Sequence, residues 1–582
     1  MIIWLEMNLV GRARFAGAAG RLAYPAVLMI AVCAPFETKG PFLRLGNLNV
    51  TNVELLVGAA LVLAAGDLFL SRTRLRWRTA VTLPVVLLLA FMTLSAFQAY
   101  DRGEAFRHVG RFGAGSLVFL AVLNAVRTRR QAVGVALAAT ASGTLVGLLA
   151  ILERANVPVV TGFLESLNPD RFVVGGSIRA SSTLMYPTVT SMYLELCFGL
   201  GLAVLLLSLD RRRAVASALA FFSLLIMFQG IVSTMTRSGV VLAFGMLALV
   251  TCCVVYRRGL GRSTYALGAL AAAGVCLFIA TGGREPALWL RSSGAEQADW
   301  YRAGVKAPKS VELETGRLYE LEIEVRNLGS QTWDSGGGFP FRLSYHWLTE
   351  CSDRRSAVIL DGLRTALPEK VAPQQTVRVR AKVQSPPQPG RYQLAFDVVH
   401  EKRFWFGAQG SPLTVVPATV RGSALAKLGA GKQALPKSEV SFDRLTLWRI
   451  GGQMLLEHPV LGIGPDNFRV TYGRHLSLSR WDTRVNSNNT YVELFACTGL
   501  LGGLTFLWLA WQTIASPGRA LGSSPTADLP LLAGATASVL AFLGHGFTDY
   551  FLGFTPTYVM IWLTMGLGFA LVNIVRDTEG CE

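Results

Sequence analysis

Long apolar segments recur along the chain, and short polar connections separate them. Residues 81–100, 186–209 and 559–575 form such segments, each close to the roughly 20 residues that an α-helix needs to cross a bilayer. Their apolar positions are continuous, whereas the strands of a membrane barrel alternate apolar with polar positions. We therefore expect an all-α polytopic membrane protein with about twelve transmembrane helices. They are predicted at residues 22–35, 51–70, 81–99, 109–126, 131–152, 186–209, 214–233, 239–256, 263–281, 491–513, 529–546 and 556–575.

Between about residues 315 and 416 the pattern changes to a period of two. Tyr319, Leu321, Ile323 and Val325 alternate with charged residues, and residues 377–384 and 392–398 repeat the alternation. This period is typical of strands with one buried and one solvated face. The spacing of the strands predicts an inserted all-β, immunoglobulin-like sandwich. Its aromatic residues either fill the core or stack on sugar rings: Trp333, Tyr345, Trp347, Trp405 and Phe406.

The chain carries a net charge of +18, from 55 Lys and Arg against 37 Asp and Glu. Much of the excess lies in every second connection between the apolar segments, which is the distribution that orients a membrane protein. We therefore expect no nucleic-acid partner. Those connections and both termini are predicted to be cytoplasmic, and the large insert after residue 281 extracytoplasmic. The arginines concerned are Arg72, Arg74, Arg76, Arg78, Arg127, Arg129, Arg130, Arg211, Arg212, Arg213, Arg257, Arg258 and Arg262.

Four regions follow from these patterns. Residues 1–281 form an N-terminal membrane region of about nine spans, and residues 491–582 a C-terminal one of about three. Residues 282–437 hold the β-sandwich insert, and residues 438–490 form a second extracytoplasmic segment. The cysteines and histidines show no metal-ligand spacing, so neither a metal nor a cofactor is expected.

Residues 444–503 carry two distinctive words, LWRIGGQMLLEHPVLGIGPDNFRVTYG and NSNNTYVELFACTGLLGG. Two shorter words precede them, RASSTL followed by YP at residues 179–187 and TRSG at residues 236–239. Together with the order of the spans, these words resemble the O-antigen ligase and O-antigen polymerase superfamily. The resemblance covers the membrane region and the second segment of the insert, whereas the β-sandwich is an addition to that plan.

The resemblance implies a GT-C-like membrane glycosyltransferase of cell-surface polysaccharide assembly. Its donor would be a glycan on undecaprenyl pyrophosphate, presented at the outer face of the bacterial inner membrane. An acceptor glycan or glycolipid would attack the anomeric carbon, and the lipid pyrophosphate would leave. Ligase and polymerase activities both fit. A non-catalytic glycan-binding or assembly factor of the same fold is the alternative, and a transporter has less support.

Three arginines are candidates for binding the donor pyrophosphate: Arg179, Arg237 and Arg449. Arginine is always charged and binds phosphate oxygens with two hydrogen bonds. Arg179 and Arg237 are predicted at outer ends of spans, against the usual distribution of basic residues. The alternative is that these side chains extend to lipid headgroups.

Many members of the superfamily carry histidine where this chain has Asn486 and Asn488. Asparagine hydrogen-bonds a sugar hydroxyl but does not accept its proton. The catalytic candidates are therefore Asn488, Asn486, Glu493 and His475. Further candidates are Asn489, Tyr491, Glu195 and a pair formed by His545 with Asp549. The carboxyl group of Glu195 lies inside a predicted span, where it is either functional or hydrogen-bonded between helices.

Overall fold

The computed structural model describes the chain outside its N-terminal 21 residues, its last three residues and several connecting segments. The described residues are 22–38, 42–45, 48–71, 75–167, 172–174, 177–282, 301–336, 340–349, 357–359, 361–368, 370–401, 404–407, 411–422, 442, 444–476, 481–523 and 527–579. The chain divides into two compact units. The first is residues 1–289, 459–465 and 489–582, and the second is residues 290–458 and 466–488.

The first unit is helical, and each apolar segment of the sequence is a helix close to the predicted bounds, except that the helix predicted at 109–126 begins at Arg102 and the helix predicted at 491–513 extends to Ser523. The helices before the insert are α1 (Ala23–Cys33), α2 (Asn52–Ser71), α3 (Thr82–Phe97), α4 (Arg102–Ala125), α5 (Arg129–Arg154), α6 (Pro158–Leu167), α7 (Pro187–Asp210), α8 (Ala214–Ser233), α9 (Arg237–Arg258) and α10 (Arg262–Leu277). A π-helical turn, Phe278–Gly282, extends α10. Two short hairpins also belong to this unit, formed by β1 (Leu43–Leu45) with β2 (Leu48–Val50) and β3 (Phe172–Val174) with β4 (Ser177–Arg179).

Within the described residues, eight helices are long and apolar enough to cross a membrane. Helices α1 and α3 are apolar but shorter. The protein is therefore a polytopic membrane protein. Helix α7 lies at the centre of the bundle, where it contacts α5, α8 and α9 as well as two helices from beyond the insert. Its apolar segment is 89% buried, which explains why the helix is apolar on all sides rather than amphipathic.

The second unit contains two main sheets around one core. One sheet has the order β10 (Ala357–Ile359), β9 (Phe341–Thr349), β14 (Gly390–His400), β16 (Thr414–Arg421) and β6 (Val311–Glu314), with β11 (Thr365–Ala366) on β9 and β15 (Phe404–Trp405) on β14. The other has the order β13 (Thr376–Gln384), β7 (Leu318–Asn327) and β5 (Ala303–Lys306), and β8 (Trp333–Asp334) pairs separately with β12 (Lys370–Val371).

The strand prediction is confirmed where the alternation is strongest. Strands β7 and β13 pair antiparallel along their length, from Leu318 opposite Gln384 to Arg326 opposite Thr376. Their inward residues, including Ile323 and Val383, join the core of the other sheet. The aromatic residues at 333, 345, 347, 405 and 406 are all at most 4% exposed, so they fill the protein interior and do not present free faces to sugar rings.

Residues 438–490, predicted as one segment, are divided between the two units. Helices α11 (Arg444–Glu457) and α12 (Phe468–His475) belong to the second unit, whereas residues 459–465 belong to the first. The remaining helices of the first unit are α13 (Thr490–Ser523), α14 (Leu529–His545) and α15 (Thr555–Glu579). Helix α14 packs on α7 and α9, and α15 packs on α4, α7 and α14.

Helix α13 is interrupted at Gly499, whose φ is 65°. The interruption frees backbone groups that residues 459–464 then satisfy. Leu500 N donates to Pro459 O at 2.8 Å, and Ile463 N donates to Ala496 O at 3.0 Å. The two halves of the distinctive sequence, HPVLGIG and ACTGLLGG, thus contact each other directly through their backbones.

Candidate functional site

The short arginine words come together in the first unit. After strand β4, Ala180 N donates to Ser233 O at 3.1 Å, and Arg179 Nε donates to Thr234 O at 3.1 Å. Thr234 lies three residues before Arg237, in the tight connection between α8 and α9 where Met235 has a φ of 53°. Arg179 is half-buried and Arg237, the first residue of α9, is exposed. Hydrogen bonds therefore attach the first arginine word to the residues that immediately precede the second.

A chain of three polar side chains lies beside Arg237. Ser238 Oγ is 2.7 Å from His545 Nε2, and His545 Nδ1 is 2.9 Å from Glu195 Oε1 and 3.1 Å from its Oε2. The imidazole is 1% exposed and the carboxyl group is fully buried. Each residue comes from a different helix, because Ser238 is on α9, His545 ends α14 and Glu195 lies on α7. This arrangement of hydroxyl, imidazole and carboxylate is suited to moving a proton.

The surroundings fix this chain in one geometry. Ser191, one turn before Glu195 on α7, donates its hydroxyl to Glu195 Oε1 at 2.8 Å. Gly239 follows Ser238 on α9, and a Cβ atom there would lie 2.0 Å from Ser191 Oγ and 2.8 Å from Glu195 Oε1. Glycine is thus required for α9 to approach α7 this closely.

The prediction that His545 pairs with Asp549 is wrong. Both ring nitrogens are already used by Glu195 and Ser238, and Asp549 instead binds backbone groups. Its Oδ1 accepts from Tyr550 N at 2.8 Å, and its carbonyl accepts from Thr490 Oγ1 at 3.0 Å. Glu195 is hydrogen-bonded between helices, and its partner is a histidine whose ring can carry charge.

Asn489 caps helix α13 and holds it to the end of α14. Its Oδ1 accepts from Tyr491 N at 2.9 Å and from Val492 N at 3.0 Å, which satisfies the first free N–H groups of the helix. Its Nδ2 donates to Phe547 O at 2.9 Å. Tyr491 donates to Leu543 O at 2.8 Å and stacks on Phe547. These two candidates therefore have structural contacts that explain their presence.

Glu493 is 1% exposed in the first turn of α13. Its Oε1 lies 3.9 Å from the Cys497 sulfur, one turn further along the helix. Because Glu493 is buried, none of its described contacts supports a direct catalytic contact with a bulky sugar.

Four further candidates belong to the second unit. Arg449 is exposed on α11, and His475 ends α12 with its Nδ1 3.9 Å from Glu457 Oε1. Asn486 Oδ1 accepts from Asn488 N at 2.9 Å, and Asn488 has a φ of 51°. Nearby, Arg484 binds both carboxylate oxygens of Asp482. The roles predicted for these residues from the sequence stay predictions.

Ser238, Ser191 and Gly239 were not among the candidates that the sequence suggested. Ser238 and Gly239 lie inside the TRSG word, so their position in that word was the available signal. Glu153 was missed as well, although it is a carboxylate at the end of a predicted span. Its Oε2 accepts from Ser182 N at 2.6 Å, which anchors the residue 179–184 segment to α5.

The sequence matches no protein-family model, and no match is found among functionally curated proteins. The resemblance to O-antigen ligases and polymerases therefore rests on the sequence words themselves.

Proposed function

We propose that the protein is a membrane glycosyltransferase that transfers or polymerises a glycan from an undecaprenyl-pyrophosphate donor. The observation that carries this proposal is the hydrogen-bonded chain Ser238–His545–Glu195 directly beside Arg237, to which Arg179 is brought by its bond to Thr234. Such a site combines cationic groups for a leaving pyrophosphate with a buried proton acceptor. Both are what this transfer needs, because negative charge develops on the leaving group while the attacking hydroxyl loses a proton.

The reaction then proceeds as one displacement. An acceptor hydroxyl attacks the anomeric carbon, a new glycosidic bond forms, and the bond from that carbon to the pyrophosphate oxygen breaks. The electron pair leaves with the pyrophosphate, where Arg179 and Arg237 stabilise it. The hydroxyl proton passes to Ser238 Oγ while the serine proton passes to His545 Nε2. Glu195 stabilises the resulting imidazolium, so the histidine missing at residues 486 and 488 is supplied from α14.

The membrane arrangement belongs to the same proposal. Twelve spans, cytoplasmic termini and an extracytoplasmic insert would present this site to a donor at the outer face of the inner membrane. The charge distribution of the connections supports that orientation. An immunoglobulin-like insert would then lie on the side of the growing polysaccharide.

The decisive experiment is incubation of the purified full-length protein with lipid-linked repeat units. Longer lipid-linked chains identify a polymerase, and transfer to a second glycan or glycolipid identifies a ligase. A donor that is bound but not consumed would support the non-catalytic glycan-binding alternative and overturn the enzyme proposal. Uptake of label into sealed vesicles without a new glycosidic bond would support a transporter.

A further inference from the structure

A cavity of about 260 Å³ lies among the helix ends of the first unit, apart from the Ser238–His545–Glu195 chain. Its walls come from the residues after α1, the start of α2, the third turn of α4, the end of α6 and the starts of α7 and α15. The volume is slightly below the roughly 300–1,000 Å³ of sites for drug-sized molecules, which suits a single small ring. The polar lining residues are Glu37, Thr38, Thr51, Arg111, Thr183 and Thr555.

The charged groups of the cavity are fixed by hydrogen bonds and an ion pair. Arg111 Nε lies 3.4 Å from Glu54 Oε1, and Thr51 N donates to Glu54 Oε2 at 3.0 Å. Burial raises the pKa of the Glu37 carboxyl group, against hydrogen bonds from the hydroxyls of Thr555 and Thr51 that lower it. The charged side chains are therefore held in place before a ligand arrives, which reduces the entropy that binding costs.

Thr183 gives an independent sign of a ligand. Its side chain lines the cavity and is 3% exposed, yet its hydroxyl has no hydrogen-bond partner among the residues that the structure describes. A buried hydroxyl without a partner destabilises a protein. The same residue belongs to the RASSTL word, whose first residue Arg179 is attached to the site described above. A ligand hydroxyl in the cavity would satisfy this group.

The charge of the cavity argues for a neutral ligand. The charged side chains among its described lining residues are Glu37 and Arg111, and Arg111 is paired with the Glu54 carboxyl. The net charge of Glu37, Glu54 and Arg111 is zero when the Glu37 carboxyl is protonated and negative when it is ionised. A phosphate or pyrophosphate therefore gains no net electrostatic attraction. Phe554 adds an apolar ring to the wall. Hydroxyls, one carboxyl, one guanidinium and an aromatic face together match the hydroxyls and C–H face of a sugar ring.

We propose that this cavity binds one neutral sugar residue of a glycan, with Thr183, Glu37 and Arg111 hydrogen-bonding its hydroxyls. That this sugar is part of the acceptor rests on the proposed function. The saccharide site itself does not, because it follows from the lining of the cavity.

The test uses purified full-length protein in lipid nanodiscs and saturation-transfer difference NMR, which detects weak ligands. The probes are methyl glycosides of neutral hexoses, 6-deoxyhexoses and N-acetylhexosamines, with inorganic pyrophosphate as the anionic probe. We expect at least one glycoside to bind and pyrophosphate not to displace it. Thr183→Val and Glu37→Gln should each weaken binding about fivefold to tenfold, the effect of losing one hydrogen bond. Thr183→Val should leave thermal stability unchanged or higher, because it removes an unpaired hydroxyl.

The matched control is Thr140→Val, which removes a similarly buried hydroxyl that bonds Ala136 O within α5. It should not change glycoside binding. The proposal is overturned if no glycoside binds the wild-type protein, if pyrophosphate competes for the site, or if Thr183→Val weakens binding no more than the control. Glycoside binding without donor consumption would refute the proposed enzyme and keep the saccharide site, whereas donor consumption without glycoside binding would do the reverse.

Discussion

His545 Nδ1 lies 2.9 Å from Glu195 Oε1, although 350 positions separate the two residues in the chain. The contact joins the end of α14 to the buried face of α7, and it is continued by the 2.7 Å contact from His545 Nε2 to Ser238 Oγ. A buried carboxyl group in a bundle is costly without a partner. The imidazole supplies that partner, and the half-buried serine connects the pair to the surface beside Arg237.

Loss of the Glu195 carboxylate or of the His545 imidazole is expected to reduce transfer. In Glu195→Gln the imidazolium that forms during transfer loses its carboxylate partner, so kcat should decrease. His545→Gln should lose about 10²–10⁴-fold in kcat, the usual effect of removing a general base.

The measurement is kcat for donor consumption in the wild-type protein and both variants. A wild-type kcat in either variant would contradict the role of the His545–Glu195 pair.

Ser238→Ala tests whether the serine carries the proton. The substitution removes the hydroxyl that contacts His545 Nε2 and should reduce kcat on the order of tenfold to a hundredfold, within the range of proton-transfer effects. Ser208→Ala is the matched control, because the Ser208 hydroxyl bonds Leu205 O within its own helix α7. Equal activities in the two variants would exclude a role of Ser238 in transfer.

The arginine substitutions test the pyrophosphate site. Arg179→Ala and Arg237→Ala should each reduce kcat/KM about tenfold to a hundredfold, since hydrogen bonds to charged groups contribute about 1.5–3 kcal/mol. Arg237→Lys should recover only part of the activity, because lysine lacks the two-pronged geometry of arginine. Arg212→Ala, in the connection between α7 and α8, is the control. Normal product from both alanine variants would overturn the pyrophosphate assignment.

The sequence allowed the helices and the main strands to be predicted because their periodicities are local. Twenty apolar residues or a strict alternation such as Tyr319 to Val325 require no knowledge of distant residues. The site required such knowledge. The sequence suggests Asp549, one turn away, as a partner of His545, because a partner on a distant helix leaves no local pattern. The packing of α7 against α14 gives it Glu195 instead, and only Gly239 allows α9 to join them.

The contact between residues 459–464 and α13 predicts a strong effect of Gly499→Ala. Gly499 has a φ of 65°, and a Cβ atom there would lie 2.3 Å from Val460 O. With its ψ of −166°, this backbone conformation is essentially restricted to glycine and costs an alanine about 1–3 kcal/mol, and the overlap requires the two segments to separate. Thermal unfolding of the purified protein should therefore show a clearly lower Tm. Gly268→Ala, in α10 where nothing lies within 4 Å of the new atom, should not lower the Tm, because alanine is favoured in a helix by up to about 1 kcal/mol.

Orientation in the membrane can be tested with cysteines introduced at exposed positions. Arg380→Cys places a thiol on the exposed face of β13 in the second unit, and Arg213→Cys places one between α7 and α8. With the insert outside and the arginine-rich connections inside, a membrane-impermeant maleimide should label Cys at position 380 in intact spheroplasts. Position 213 should be labelled only after lysis. The wild-type protein gives the background, because it contains Cys351 in the insert and Cys252 and Cys276 at exposed positions on α9 and α10. The opposite pattern would reverse the topology. It would also contradict the proposal that transfer occurs at the outer face of the membrane, because that proposal depends on this orientation.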